Sequence, residues 1–594
     1  MKFAAAILAL GLAATPVLAA TPAPVQDKPH NIIIFVADGL RYGSVTKENM
    51  PNMFRLKSEG VDFTNSHSLY PTITTVNASA IATGHYIGDT GDFGNTIWTA
   101  QPMISLKGSS VGFLENDGVL DEMNQKFGGN YINETSLLAA ARAQGFQTAV
   151  IGKEGPARIQ DLTAPVDGGS GLVIDDATGH DGGIGLPPWF TRDMKQAFVG
   201  KEAPKPAVPN IEQEVWMMKA TTRIVLPHFA ESGKPFALLF WSRDPDVSQH
   251  NARDSLGEYE PGINGPSGKA GARDADTMLG ELLQALKDQG LDSNTDVFVT
   301  ADHGFLTVSH TSATSPSTKF AALPTTETGF GFLAVDMAAS LGLPLRKTGG
   351  GGGMIDFSNG GTAADGSGAL GVDPAHPDII VTPNGGSDLI YLPTPRAKTL
   401  AGDIVNFLTT QDYVAAVFVN DKLGSIPGAL AMSDINLIGS ARTPVPSIIV
   451  SYRSFAQNCE NPLQCTVGVH DTPLATGQGS HGSLSRAETR NFMAAVGPDF
   501  KAGYADPAPV SNADVAPTLA QAAGIVLPAR GKLKGRVISE ALAGGAAVNV
   551  SRRTLQSAPA QNGARTILNL QQVGETRYFD AGGFAGKTVG LTPP

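Results

Sequence analysis

Several apolar runs in this chain end on a carboxylate or an imidazole, and that placement constrains the fold more than any other feature. Asn31-Ile-Ile-Ile-Phe-Val-Ala37 runs into Asp38, and Phe236-Ala-Leu-Leu-Phe-Trp241 is followed by Asp246 and His250. Asp296-Val-Phe-Val-Thr300 leads to Asp302 and His303, and His481 stands in Gly479-Ser-His-Gly482. Short runs that are apolar without alternation read as strands covered on both faces. Open α/β sheets place their chemistry outside the carboxyl ends of such strands. Three Asp and three His in this pattern read as one two-metal site assembled from separate strand ends.

Further strands are expected at Thr148–Ile151, Val414–Val419, Ile448–Ser451 and Phe492–Val496. Asp274–Gln289 reads as a helix with the stripe Met278, Leu279, Leu282, Leu283 and Leu286, closed by Gly290, and Asp514–Ala523 as another. Alternation of strands and helices predicts an α/β fold with a doubly wound, mostly parallel sheet and helices on both faces. Regions rich in Gly and Pro interrupt it, and cap-like insertions are expected at 155–209 and 306–400, the second holding the run Gly349–Gly353. A catalytic domain over 28–543 and a C-terminal extension over 544–594 complete the expected organisation. No internal repeat is visible.

Residues 1–20 read as a cleaved secretory signal. Lys2 supplies the positive end, Phe3–Ala14 an apolar stretch too short to span a bilayer, and Val17-Leu-Ala-Ala20 the small residues for cleavage. The expected location is therefore periplasmic or secreted, with no membrane span after signal cleavage. Cys459 and Cys465, the two cysteines, are then expected to form a local disulfide. The formal net charge of -12 argues against nucleic-acid duplexes as partners, since phosphate backbones need a basic surface. It does not exclude a small phosphate ester, because bound cations set the local field.

The ligand pattern carries chemistry when taken together. Asp246 and His250 stand four apart, so one helical turn lets both reach one ion. Asp38, Asp246 and Asp302 in one pocket repel one another, and two divalent cations would offset them and leave the site slightly cationic. His and Asp ligation without Cys suits zinc, with manganese or another divalent ion as the alternative. Pro71-Thr-Ile-Thr-Thr-Val-Asn77 offers hydroxyl nucleophiles in Thr72, Thr74 and Thr75, equivalent on this reading. The same turn also reads as the start of a helix from Ala78, whose dipole would favour a nucleophile there.

These residues resemble the alkaline phosphatase superfamily, and within it the type I phosphodiesterase/nucleotide pyrophosphatase branch. The resemblance rests on Asp38-Gly-Leu-Arg41, the Pro71–Asn77 turn, Thr83-Gly84, Asp246–His250, Ala301-Asp-His-Gly304 and Gly479-Ser-His-Gly482, with Gly497–Lys501 and Asp514–Thr518 as later motifs. It implies that Asp246, His250 and His481 hold one zinc, and that Asp38, Asp302, His303 and the nucleophile hold the other. It places the nucleophile at Thr74, three residues before Asn77, and makes Asn95 an amide donor to a phosphate oxygen. In monoesterase members a Lys and an Arg two residues later bind the extra phosphate charge. Here they correspond to Lys153 and Gly155, so the Arg is missing, with Arg158 the nearest replacement. No sulfatase-type Cys/Ser-x-Pro-x-Arg motif stands at the Thr74 turn.

The resemblance thus implies an exported hydrolase favouring phosphodiester or nucleotide pyrophosphate bonds. Its alternatives are an alkaline phosphatase acting on monoesters, a phosphoryl transferase, and an inactive metal- or phosphate-binding protein.

Overall fold

The computed structural model describes residues 30–592, apart from 165–170, 181–182, 198–199, 201, 321–325, 350–351 and 458. The signal expected at 1–20 and part of the glycine run Gly349–Gly353 lie outside the described residues.

An eight-stranded sheet carries the strand ends of interest. In chain order its strands are β1 (Asn31–Ala37), β2 (Val61–Phe63), β3 (Gln147–Gly152), β4 (Gly171–Ile174), β5 (Phe236–Ser242), β6 (Thr295–Thr300), β7 (Met493–Val496) and β8 (Tyr504–Asp506). Their spatial order is β8-β2-β7-β6-β1-β5-β3-β4. Strand β1 pairs in parallel with both β5 and β6, and β3 with both β5 and β4. Strand β2 is parallel to β8, and β7 alone runs antiparallel to its neighbours.

The apolar runs behave as strands covered on two sides. In β1, Ile32, Ile34 and Val36 enter one core, while Ile33, Phe35 and Ala37 enter the other. The first core is completed by helices α2 (Thr74–Thr83) and α5 (Val515–Ala522). The second is completed by α1 (Pro51–Glu59) and α4 (Pro266–Asp288). Period-two side-chain alternation therefore fills both layers, which makes the sheet doubly wound and mostly parallel as expected. The helix expected from Asp274 begins earlier, at Pro266. Pro at its first position leaves no interior N–H unmade. A further short helix, α3 (Asp246–His250), comes soon after the carboxyl end of β5.

The interrupted regions are more regular than their composition suggests. Gly171–Ile174, inside the stretch 155–209, is the edge strand β4. Strands between Leu345 and Tyr452 form a second, seven-stranded sheet with its own core against the helices Phe332–Leu341 and Ala397–Thr409. The strands expected at 414–419 and 448–451 belong to this sheet and pair antiparallel. A continuous apolar run reports two covered faces but not strand direction. From Ser551 the chain forms a three-stranded antiparallel sheet, tied to the main body by Tyr578 Oη to Asp514 at 2.9 Å and by Asp580 to His67 at 2.8 Å. Cys459 and Cys465 form a disulfide. Among the described residues no helix is long and apolar enough to cross a membrane.

Candidate metal centre and nucleophile turn

The carboxyl ends of β1, β5 and β6 bring the predicted ligands together. The backbone joins two of these exits directly, because Asp246 N donates to the Asp38 carbonyl at 3.0 Å. Asp302 is fixed by the Gly39 and His303 N–H groups, both 3.0 Å from Oδ1. Gly39 has φ +71, so the Asp-Gly turn after β1 uses glycine's left-handed freedom. Gly304 is needed for closeness instead, since a Cβ there would lie 2.3 Å from the Ala487 carbonyl. The single helical turn α3 sets His250 Nε2 3.1 Å from Asp246 Oδ1.

The three histidines share one orientation. His250 Nδ1 faces the Gly479 carbonyl at 2.9 Å, His303 Nδ1 the Gly304 carbonyl at 2.9 Å, and His481 Nδ1 the Thr72 carbonyl at 2.8 Å. A carbonyl can only accept, so each Nδ1 carries a proton and each Nε2 faces the centre, where the neutral ring offers a lone pair to a cation. His481 Nε2 lies 3.7 Å from Asp246 Oδ1. His303 Nε2 lies 3.2 Å from Asp302 Oδ2 and 3.6 Å from Asp38 Oδ1. Ligand atoms of Asp38, Asp302 and His303 fall within 4.8 Å of one another, and so do those of Asp246, His303 and His481. His303 therefore sits at the junction of the two groups.

Electrostatics leave the centre in need of positive charge. Burial, then the Asp246 charge, raises Asp38, and burial with Asp38 beside it raises Asp302 well above the usual carboxylate range. Burial also opposes the charge on Asp246, but His250, Lys153 and His481 override it and hold that carboxyl far below its ordinary value. Burial lowers His303 to about 4, and burial together with the other two imidazoles lowers His481 strongly. Burial opposes charge on His250 as well, yet Asp246 raises it on balance. Asp38 Oδ1, Asp246 Oδ1 and Asp302 Oδ2 are buried without a hydrogen-bond partner. Such oxygens are costly unless a cation meets them. Oxygen and imidazole donors converging with unmet lone pairs fit hard or borderline divalent ions.

The turn carrying the candidate nucleophiles faces this centre. Helix α2 begins at Thr74 rather than at Ala78, because Asn77 is drawn inward to bond Leu69 and Ile73. Thr74 Oγ1 lies 3.2 Å from His303 Nε2. Thr72 Oγ1 is instead 2.8 Å from both Glu488 Oε2 and the Ser483 carbonyl. Thr75 gives its backbone N–H to Asn95 Oδ1 at 3.0 Å. Geometry thus separates three threonines that the sequence leaves equivalent, and of these hydroxyls Thr74's faces the ligand set.

Lys153 is 3% exposed and so is not a solvent-facing strand-end residue. Its Nζ lies 3.0 Å from Asp38, 3.5 Å from Asp246 and 3.2 Å from Glu115. Burial opposes its charge, but Asp246, Asp38 and Glu115 more than compensate and keep it cationic. Asn95 Nδ2 donates to Glu115 Oε1 at 2.8 Å. Asn95, Glu115, Lys153, Asp246, His250 and His481 line a cavity of about 310 Å³. Arg158 bonds Asp121 and the Asp161 carbonyl and does not line this cavity, whereas Arg243 does.

Four supporting residues escape a reading of sequence alone. Trp241 Nε1 donates to Asp38 Oδ2 at 2.8 Å, and its place at the end of β5 is the one local signal among them. Asn512 Nδ2 bridges Asn77 at 2.9 Å and the Asp302 carbonyl at 2.7 Å. Glu488 clamps Thr72 to the His481 loop, and Glu115 faces Lys153.

The family model described as type I phosphodiesterase / nucleotide pyrophosphatase matches residues 32–335, a span that contains Asp38, Thr74, Asp246, His250, Asp302 and His303. Arylsulfatase A from Bos taurus is 26% identical over 300 residues, 46% of this chain and 52% of that protein, so the match spans about half the length of that relative. On a match covering more than half of its length, this chain belongs to the type I phosphodiesterase/nucleotide pyrophosphatase family.

Proposed function

We propose that this chain is an exported, two-metal hydrolase of phosphoric esters that uses Thr74 as nucleophile and favours phosphodiester or nucleotide pyrophosphate bonds. One observation carries the reading. Three buried carboxylate oxygens without hydrogen-bond partners converge with three inward Nε2 lone pairs beside one threonine hydroxyl. Asp246, His250 and His481 would hold one ion, and Asp38, Asp302, His303 and Thr74 the other. Bound zinc would neutralise the carboxylates, acidify a coordinated hydroxyl and stabilise charge on the leaving oxygen.

The remaining roles belong to the chain. Thr74 Oγ forms a bond to phosphorus as the bond to the leaving oxygen breaks; its hydroxyl proton passes to solvent, and the leaving oxygen takes up a proton from solvent. Water then cleaves the Thr74 ester, releasing the phosphoryl product and restoring the hydroxyl. The N-terminus of α2 adds its dipole where negative charge gathers. Asn95 and Lys153 face the non-bridging oxygens from the cavity wall, and Phe113 and Phe330 offer apolar surface to the leaving group. Preference for a diester follows from the missing cation at Gly155, since a diester carries about one charge fewer than a monoester. Export rests on the composition of residues 1–20.

Parallel kinetics on p-nitrophenyl phosphate and bis-p-nitrophenyl phosphate test the proposal. A larger kcat/KM for the diester is expected. Strong preference for the monoester would reverse the assignment in favour of a monoester phosphatase.

A further inference from the structure

We infer that Glu115 sets the charge selectivity of the cavity by pairing with the Lys153 ammonium, so that the site accepts a singly charged phosphoryl group and disfavours a doubly charged one. The inference rests on the hydrolase reading and adds a residue that sets its substrate class. Lys153 Nζ touches three carboxylates, and two of them, Asp38 and Asp246, belong to the candidate ligand set. Glu115 is the third, at 3.2 Å, and it lies outside that set. Cations bound at the centre would draw on Asp38 and Asp246, leaving Glu115 as the charge partner of Lys153. Asn95 Nδ2 at 2.8 Å holds the other Glu115 oxygen, so the carboxylate is fixed rather than free to swing away.

The backbone shows why no second cation stands two residues after Lys153. Gly155 has φ +86, and a Cβ there would lie 2.4 Å from Glu115 Cα. Position 155 is closed to any side chain by the segment that delivers Glu115. One substitution of space thus removes a positive group and supplies a negative one. The other cation on the cavity wall, Arg243, is ion-paired with Asp176. A phosphoryl dianion entering this cavity meets cations that already have partners, whereas a diester needs less compensation.

Glu115→Gln keeps the shape and the contact with Asn95 but removes the charge. Calorimetric titration of zinc-loaded protein near pH 8 would compare inorganic phosphate, there mostly a dianion, with dimethyl phosphate, a monoanion. The variant is expected to bind inorganic phosphate about tenfold more tightly and dimethyl phosphate within about twofold of wild type. The monoester-to-diester ratio of kcat/KM should rise by a similar factor, and Glu115→Asp should keep the wild-type ratio. Equal shifts for the two ligands, or weaker phosphate binding in Glu115→Gln, would overturn the inference. A wild type that hydrolyses neither ester would remove the hydrolase reading, while the phosphate titration would still decide the role of Glu115.

Discussion

Replacing Thr74 by alanine isolates the proposed nucleophile from the rest of the centre. The side chain is fully buried, with Oγ1 3.2 Å from His303 Nε2. No neighbour can stand in for it. Thr72 Oγ1 is bound 2.8 Å from Glu488, and Thr75 is held through its backbone by Asn95. Loss of a covalent nucleophile without a substitute should lower kcat by about 10³-fold or more, roughly 4 kcal/mol of barrier. Stability should fall by only about 1–2 kcal/mol, the cost of a small buried cavity. Metal content should persist, because Asp38, Asp302 and His303 remain in place. Thr74→Ser should stay within about tenfold of wild type, since the hydroxyl is retained. Turnover of bis-p-nitrophenyl phosphate, metal content and thermal melting, measured on one preparation, provide the assay. A Thr74→Ala protein with near-native rate, or an inactive Thr72→Ala or Thr75→Ala protein beside an active Thr74→Ala one, would refute the reasoning.

Three further outcomes are expected. Lys153→Ala should cost monoester hydrolysis about tenfold more than diester hydrolysis in kcat/KM, and equal losses would assign Lys153 to general phosphate holding. Glu488→Gln should lower kcat on both esters alike by about tenfold, because it loosens Thr72 and the His481 loop together while leaving Lys153 and Glu115 in place; a changed ester ratio would contradict that role. Asp296, buried beside Asp499, is pushed up to about 8 by burial and by the neighbouring Asp499 carboxyl. Its folded form keeps a proton that the unfolded chain gives up near pH 4, so its contribution is greatest in acid and falls as pH rises toward 8. Asp296→Asn should therefore gain melting temperature relative to wild type as pH goes from about 5 to about 8; a constant difference over that window would exclude the shift.

Legibility in the sequence tracked locality. Asp38 and Asp302 could be found because each closes an apolar run that is itself a buried strand, and the run and its terminus are adjacent in the chain. Asp246 and His250 share one helical turn, which spacing alone encodes. Glu115 had no such mark. It follows the half-exposed Phe113, and its partner Lys153 lies in another element. Glu488 and Asn512 act on Thr72 and Asp302 across more than 200 residues, so only tertiary packing reveals them. The second sheet was hidden for a related reason. Val414–Val419 reads as a strand of either direction, and its antiparallel partner Ile448–Tyr452 was not deducible from its composition. The C-terminal strands show the same limit, because Tyr578 is buried against Asp514, a contact with no local signature.

Elemental analysis of catalytically active protein tests the proposed two-metal centre most directly. Two divalent ions per chain are expected, lost together with diester hydrolysis on chelation and recovered with zinc. Active protein carrying no divalent metal, or full activity after complete chelation, would contradict it.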